Sequence, residues 1–380
     1  MMKLKFASLR RSRMWRALQD KRYALAAFLL LLSPQFIFGQ AMQSNSLPAL
    51  RDGSHDFDFN VGVWHTHIRR ALDPLASSSD SMVLDGTVTV RKVWGGRAQL
   101  EEIEADGPKG HWEGLSVFLY DPAAHQWSQT FLNSKTPEWG TPLIGEFHDG
   151  QADLFGQDTF KNRNILVRGV WSRIEPNAHR YEESYSDDGG KTWKFSFRAD
   201  LTRDEQVKEQ DGAAVADPPA DDSQEQHAFD FDLGTWRTHS KRLLHPLTGS
   251  NDWVEMDGTT VVQKVWGGKA NLAEYDANGT GGHVTLLALR WFDPAMDAWN
   301  LDFATPQVGR LGSVPGAGTF KDGRADFYDY EPIGGRSVLV RFSIWKITDD
   351  RAQSEQAFSM DGGKTWEVNW INQYTRVKGE

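Results

Sequence analysis

Two glutamates stand where a carboxyl could do acid–base work. Glu102 and Glu274 each follow a leucine by two residues, Leu100 and Leu272, within stretches of strand-forming residues. On a strand that spacing puts leucine and glutamate on one face. If the face is an apolar interior, burial raises the carboxyl pKa and suits the group to holding or moving a proton. Arg168 and Arg341 sit in otherwise apolar stretches later in the same halves and could pair with these acids. The plainer alternative is a structural ion pair, or a wetted face. Three histidine pairs, His55/His227, His67/His239 and His111/His283, offer imidazoles that suit a metal or haem, or else serve local packing. Strand parity bears on one pair: Trp64, Thr66 and Ile68 share a face, so His67 takes the other. No nucleophile–base constellation, phosphate loop or metal-spaced cluster is present, and the chain has no cysteine. Thiolate catalysis and cysteine-ligated metals are therefore excluded. The expectation is no metal and no cofactor.

Each of these candidates occurs twice because the chain repeats itself. His55 to Arg70 returns as His227 to Arg242, with nine of 16 positions identical at an offset of 172. Later landmarks follow the same rule: Lys92-Val93-Trp94-Gly95-Gly96 and Lys264-Val265-Trp266-Gly267-Gly268, Asp149-Gly150 and Asp322-Gly323, Thr202-Arg203 and Thr375-Arg376. The offset drifts only to 174, so the halves differ by small loop changes. Residues 55–203 and 227–378 are read as two equivalent domains. Between them, residues 204–226 are acidic and proline-bearing, with little to bury, and read as a flexible linker. Inside each half, short β-branched and aromatic runs end at Asp-Pro, Asp-Gly or Gly-Gly every 8–14 residues. No window has a 3.6-residue period. The expectation is all-β, with two tandem antiparallel barrels.

The first 22 residues hold eight Lys or Arg and one acid, followed by the apolar run Tyr23 to Phe38 and the small-residue site Gly39-Gln40-Ala41. That is the layout of a signal peptide over residues 1–41, with an uncleaved anchor as the alternative. The run is short for a membrane span. Without those residues the chain carries 34 Lys and Arg against 51 Asp and Glu, about −17. Such a protein is a poor partner for nucleic acid or anionic lipid. The expected location is periplasmic or secreted, with no membrane association once the signal is removed.

Phe57-Asp58-Phe59-x-x-Gly62-x-Trp64, opening about 150 residues of up-and-down strands, resembles the calycin superfamily of lipocalin-like barrels. Within it the chain looks most like the DUF1579 type of secreted bacterial domain. The resemblance implies that Trp64 and Trp236 plug the closed end of a cup. It also implies that a basic residue of the last strand, Arg203 or Arg376, packs over each indole. Binding of a small apolar or amphipathic molecule follows, with Trp64, Trp236, Arg168 and Arg341 as its contacts. Tandem calycin-type domains also occur in cofactor-free enzymes, which implies a hydratase, cyclase or isomerase using Glu102 or Glu274 as general acid or base. A third expectation is a carbohydrate-binding protein displaying tryptophans outside the cups. Ser186-x-Asp188-x-Gly190-x-Thr192-Trp193 and Ser359-x-Asp361-x-Gly363-x-Thr365-Trp366 match the Asp-box pattern of sialidases. A propeller needs more copies, at blade spacing, so these read as structural hairpins.

Overall fold

The computed structural model describes residues 51–77, 79–135, 140–204, 224–312 and 315–378. The expected signal peptide and most of the expected linker lie outside the described residues. The first half forms β1 (Gly62–Ala71), β2 (Ser81–Val93), β3 (Ala98–Gly107), β4 (Gly110–Asp121), β5 (Gln126–Asn133), β6 (Leu143–His148), β7 (Gln151–Phe160), β8 (Arg163–Glu175), β9 (Ala178–Ser186) and β10 (Lys194–Arg203). These strands pair with their sequence neighbours, and β1 pairs with β10 to close the barrel. The second half forms β11 (Gly234–Leu243), β12 (Trp253–Val265), β13 (Ala270–Gly279), β14 (Gly282–Asp293), β15 (Ala298–Ala304), β16 (Gly316–Gly318), β17 (Phe320–Lys321), β18 (Arg324–Ile333), β19 (Arg336–Trp345), β20 (Arg351–Ser359) and β21 (Glu367–Arg376). Here β11 pairs with β21, and β16 with β18, so a ring again closes, with the two-residue β17 attached to β18. All pairings are antiparallel, and the described residues contain no α-helix. Each ring has ten strands rather than a lipocalin's eight. A wider ring has an interior that side chains need not fill.

Local sequence explains the turns. Asp149-Gly150 and Asp322-Gly323 are two-residue hairpin loops with φ of 51° and 80°, and 52° and 74°. Positive φ at both positions is what the strand twist demands, and Asp-Gly supplies it at low cost. Both Asp-box segments are hairpin loops. Asp188 Oδ1 accepts the N–H groups of Lys191 and Thr192, and its Oδ2 accepts the Thr192 hydroxyl at 2.7 Å. Asp361 does the same for Thr365. These hydrogen bonds hold both carboxyls well below the usual carboxylate range.

One end of each barrel is closed by the expected tryptophan. Trp64 is fully buried, donates Nε1 to the Asn60 carbonyl at 2.8 Å, and lies 4.0 Å beneath the Arg203 guanidinium. Arg203 also reaches the carbonyls of Val61 and Phe59, whose chain it ties down. Trp236, the Asp232 carbonyl and Arg376 repeat the arrangement, with the guanidinium again 4.0 Å from the ring. The indole is thus held by a cation–π contact and a hydrogen bond as well as by burial.

The two barrels pack against each other through the outer faces of β3–β4 and β13–β14. One apolar cluster joins Val93, Trp94, Ala98, Leu100, Leu115, Val117, Leu119 and Leu132 to their counterparts Val265, Trp266, Ala270, Leu272, Leu287, Leu289, Trp291 and Ala304, with Leu311 added. Each pair is 172 residues apart, so like meets like, as in an isologous dimer. Arg91 even donates to Gln263, its own counterpart, at 2.7 Å.

Candidate ligand-binding site

The interior of the first barrel is built by strand alternation. On β1, Trp64, Thr66 and Ile68 face in, while His65, His67 and Arg69 face solvent. The same period on the other strands brings Ile103, Phe131, Leu143, Val167, Trp171 and Leu201 around a cavity of about 200 Å³. It widens toward a vestibule of about 360 Å³ with which it shares Ile68, Arg70, Trp112 and Phe197. Arg70 and Asp158, both exposed, stand on the cavity's lining toward solvent. Trp64 lies at the floor and outside the lining.

Two carboxyls enter this apolar space. Glu101 on β3 is 4% exposed and accepts Asn60 Nδ2 at 3.1 Å and the Ser116 hydroxyl at 2.9 Å. Burial pushes its pKa up against the opposing effect of those two donors. Glu183 on β9 accepts the hydroxyls of Tyr181 at 3.3 Å and Ser196 at 3.4 Å, and burial raises it too. Tyr181 lies within electrostatic reach of both acids; burial and then Glu183 push its phenol well above the ordinary value. Gln129 is held by the Trp171 indole N–H at 3.0 Å. Below the cavity, His179 is 2% exposed, its ring 4.2 Å from Trp64, and burial lowers it to about 3. It is a neutral packing residue.

The expected site residues lie elsewhere. Glu102 and Glu274 do not line the cups, because Leu100 and Leu272 belong to the outward faces that join the barrels. Glu102 Oε1 accepts the backbone N–H of Trp266 at 2.6 Å, and Glu274 Oε2 accepts that of Trp94 at 2.8 Å. Both tryptophans sit at positive φ, 54° and 56°, which aims the amide across the interface. Arg168 and Arg341 likewise face outward. Arg168 pairs with Asp153 at 2.5 Å and lies 5.9 Å from the Phe155 ring; Arg341 pairs with Glu355 at 3.3 Å and covers Trp366 at 4.6 Å. The exposed Phe155 and Tyr328 meet the half-buried Trp193 and Trp366 at equivalent outer positions. The paired histidines meet aspartates on the surface, for example His67 with Asp85 and His239 with Asp257. Among the described residues no His/Asp/Glu group is arranged to hold a metal.

Sequence reasoning missed Glu101 and Glu183. A usable signal existed, since Glu101 alternates with Gln99 and Ile103, and Tyr181, Glu183 and Tyr185 alternate on one face.

The second interior is built differently at the same positions. Ile68, Ile103, Ala199 and Leu201 become Ser240, Tyr275, Asn372 and Tyr374. These join in a chain: Tyr275 donates to Ser240, Ser240 to Asn372, Asn372 to Ser354, and Ser354 meets the Tyr374 hydroxyl, all at 2.7–3.1 Å. Near the floor, Asp232 pairs with the buried Arg290 at 2.5 Å. Ala273 and Gln356 replace the two interior glutamates. Apart from this network, Asp302, Asp329 and Glu331 form an acid group of their own. Burial, assisted by repulsion from neighbouring acids, raises Asp302 to about 6 and Asp329 to about 7.

No family model matches the chain. No curated protein matches it either. Among solved structures, an S-type phycobiliprotein lyase from Guillardia theta aligns at 13% identity and TM-score 0.29, covering 42% of this chain and 100% of its own. A DUF3598 protein of unknown function from Nostoc punctiforme aligns at 13% identity and TM-score 0.26, covering 86% and 100%. Transferrin-binding protein B from Haemophilus parasuis aligns at 8% identity and TM-score 0.16, covering 83% and 76%.

Proposed function

We propose that the protein is an exported calycin-type protein of the DUF1579 kind, which holds a small apolar or amphipathic molecule in the cup of its first barrel. The supporting observation is the cavity itself. Ile103, Phe131, Val167 and Trp171 give it apolar walls, Glu101, Gln129 and Glu183 are held in it by hydrogen bonds, and it opens toward solvent, the pattern of a ligand site. The second barrel, with a hydrogen-bonded interior at the same positions, serves as a structural partner. Export and a periplasmic or secreted location rest on the N-terminal sequence pattern alone, and processing of residues 1–41 is checked by N-terminal sequencing of the native protein.

The test is binding of N-phenyl-1-naphthylamine, a neutral apolar fluorophore, by the full chain. Saturable fluorescence enhancement is expected. Ala199 lines the cavity, so Ala199→Phe fills it and should weaken binding at least about tenfold, the scale of losing a small apolar pocket. Undiminished binding in that variant would move the ligand out of the cup.

A further inference from the structure

The first cup contains one buried acid, Glu101, one half-buried acid, Glu183, and, among its described lining residues, no buried base. Its one basic lining residue, Arg70 on β1, is exposed and lies at the solvent side, from where its charge favours the ionised form of Glu183, while Glu101 meets only neutral donors. The hydrogen bonds to Glu101 and Glu183 come from a neutral amide, that of Asn60, and from the hydroxyls of Ser116, Tyr181 and Ser196. The floor of the second barrel shows what this chain does with a buried acid that has a permanent partner. Asp232, the counterpart of Asn60, is matched by Arg290, whose guanidinium also covers Phe229 at 4.6 Å. In the first barrel the position of Arg290 is held by Phe118, and the acids have moved up to β3 and β9, beside open space. A carboxylate in an apolar enclosure is costly unless a cation meets it. Beside Glu101 the place for that cation is empty volume.

We infer that the ligand of the first cup is an amphipathic amine, whose cationic nitrogen is received by Glu101 and Glu183 and whose apolar body lies against Ile103, Phe131 and Trp171. The inference rests on the reading of the first barrel as a ligand cup and names the class of molecule it takes. Tyr181 and Tyr185, on the same strand as Glu183, add hydroxyl acceptors around an ammonium group. Asp158, on β7 toward solvent, adds a further negative charge, opposed by Arg70 at the mouth and by Lys109 and Lys135 in the vestibule. A carboxylate ligand would meet like charge at depth, and a neutral ligand would leave Glu101 uncompensated.

The experiment compares 2-phenylethylamine, 2-phenylethanol and phenylacetate by isothermal titration calorimetry on the full chain at pH 7.5. These probes share an aromatic body and differ mainly in charge. The amine should bind at least about tenfold more tightly than the alcohol, and phenylacetate should not bind, the scale expected for an enclosed charge pair. Glu101→Gln and Glu183→Gln, nearly isosteric, should each erase most of the amine's advantage over the alcohol. Equal affinities for amine and alcohol would overturn the inference and leave the cup standing as a neutral-ligand site. No binding by any probe, with the fluorophore still bound, overturns it likewise. Failure of both probes and fluorophore removes the cup as well. The three-ligand comparison on the unaltered chain decides the matter even where a variant folds poorly.

Discussion

Glu101 carries a cost that pH can reveal. Its folded-state pKa is raised by burial, so the folded chain binds a proton that the unfolded chain releases earlier. The associated stability is full below the unfolded value of about 4.3 and is lost as pH rises through the folded value. Glu101→Gln removes the titration. It also keeps the hydrogen bonds, because Asn60 Oδ1 is buried and has no partner in the parent protein. An amide flip at Asn60 lets that oxygen accept the new N–H. The variant should match the parent near pH 4 and melt progressively higher than it toward pH 8, by about 2–4 °C for each kcal/mol recovered. Thermal melts across that range check this; a constant difference at all pH values would show that Glu101 does not titrate inside the cup.

At the scale of the strand, the Gly-x-Trp entrance and the closing arginine were legible because they are local and repeated. A single strand start brings Trp64 inward, and the register of β1 with β10 sets Trp64 directly opposite Arg203. Trp64→Ala and Trp236→Ala should each cost about 3–5 kcal/mol in denaturant unfolding, the range for truncating a buried aromatic. Near-parent stability of both would contradict the floor assignment. The parity of β3 was not legible. Leu100 and Ile103 are both buried, one facing the partner barrel and the other the cup. A strand buried on both faces has lost the alternation that tells inside from outside. Choosing Leu100 as the inward mark therefore shifted the acid by one residue, from Glu101 to Glu102. Trp171 and Trp345, 174 residues apart in sequence where Thr202 and Thr375 are 173 apart, are separated by a one-residue slip too. The pairing register makes Ile344 the counterpart of Trp171, while Trp345 faces out beneath Arg324 at 4.9 Å.

At the scale of the molecule, the repeat gives two barrels, and their β3–β4 and β13–β14 faces form a common core. The repeat was plain in the sequence; the contact between its halves was not, because an outward apolar face looks the same as an inward one. Reciprocal bonds from Glu102 to Trp266 and from Glu274 to Trp94 fix the register of that contact, and Lys269 adds an ion pair to the largely buried Glu113. Cleavage of the acidic stretch 204–226 should therefore leave the two halves co-eluting in size-exclusion chromatography. Leu100→Asp combined with Leu272→Asp, which buries two like charges in the shared cluster, should separate them after cleavage. Halves that part without those substitutions would show the interface to be weak.

The central claim is that the first interior receives a ligand and the second does not. Methyl NMR of the full chain, titrated with N-phenyl-1-naphthylamine, locates the bound molecule directly. Saturable shifts are expected at Ile68, Ile103 and Val167, which line the first cup, with Val340 and Ile344 of the second core unmoved. Shifts confined to the second barrel, or scattered over outer surfaces with the first cup silent, would contradict it.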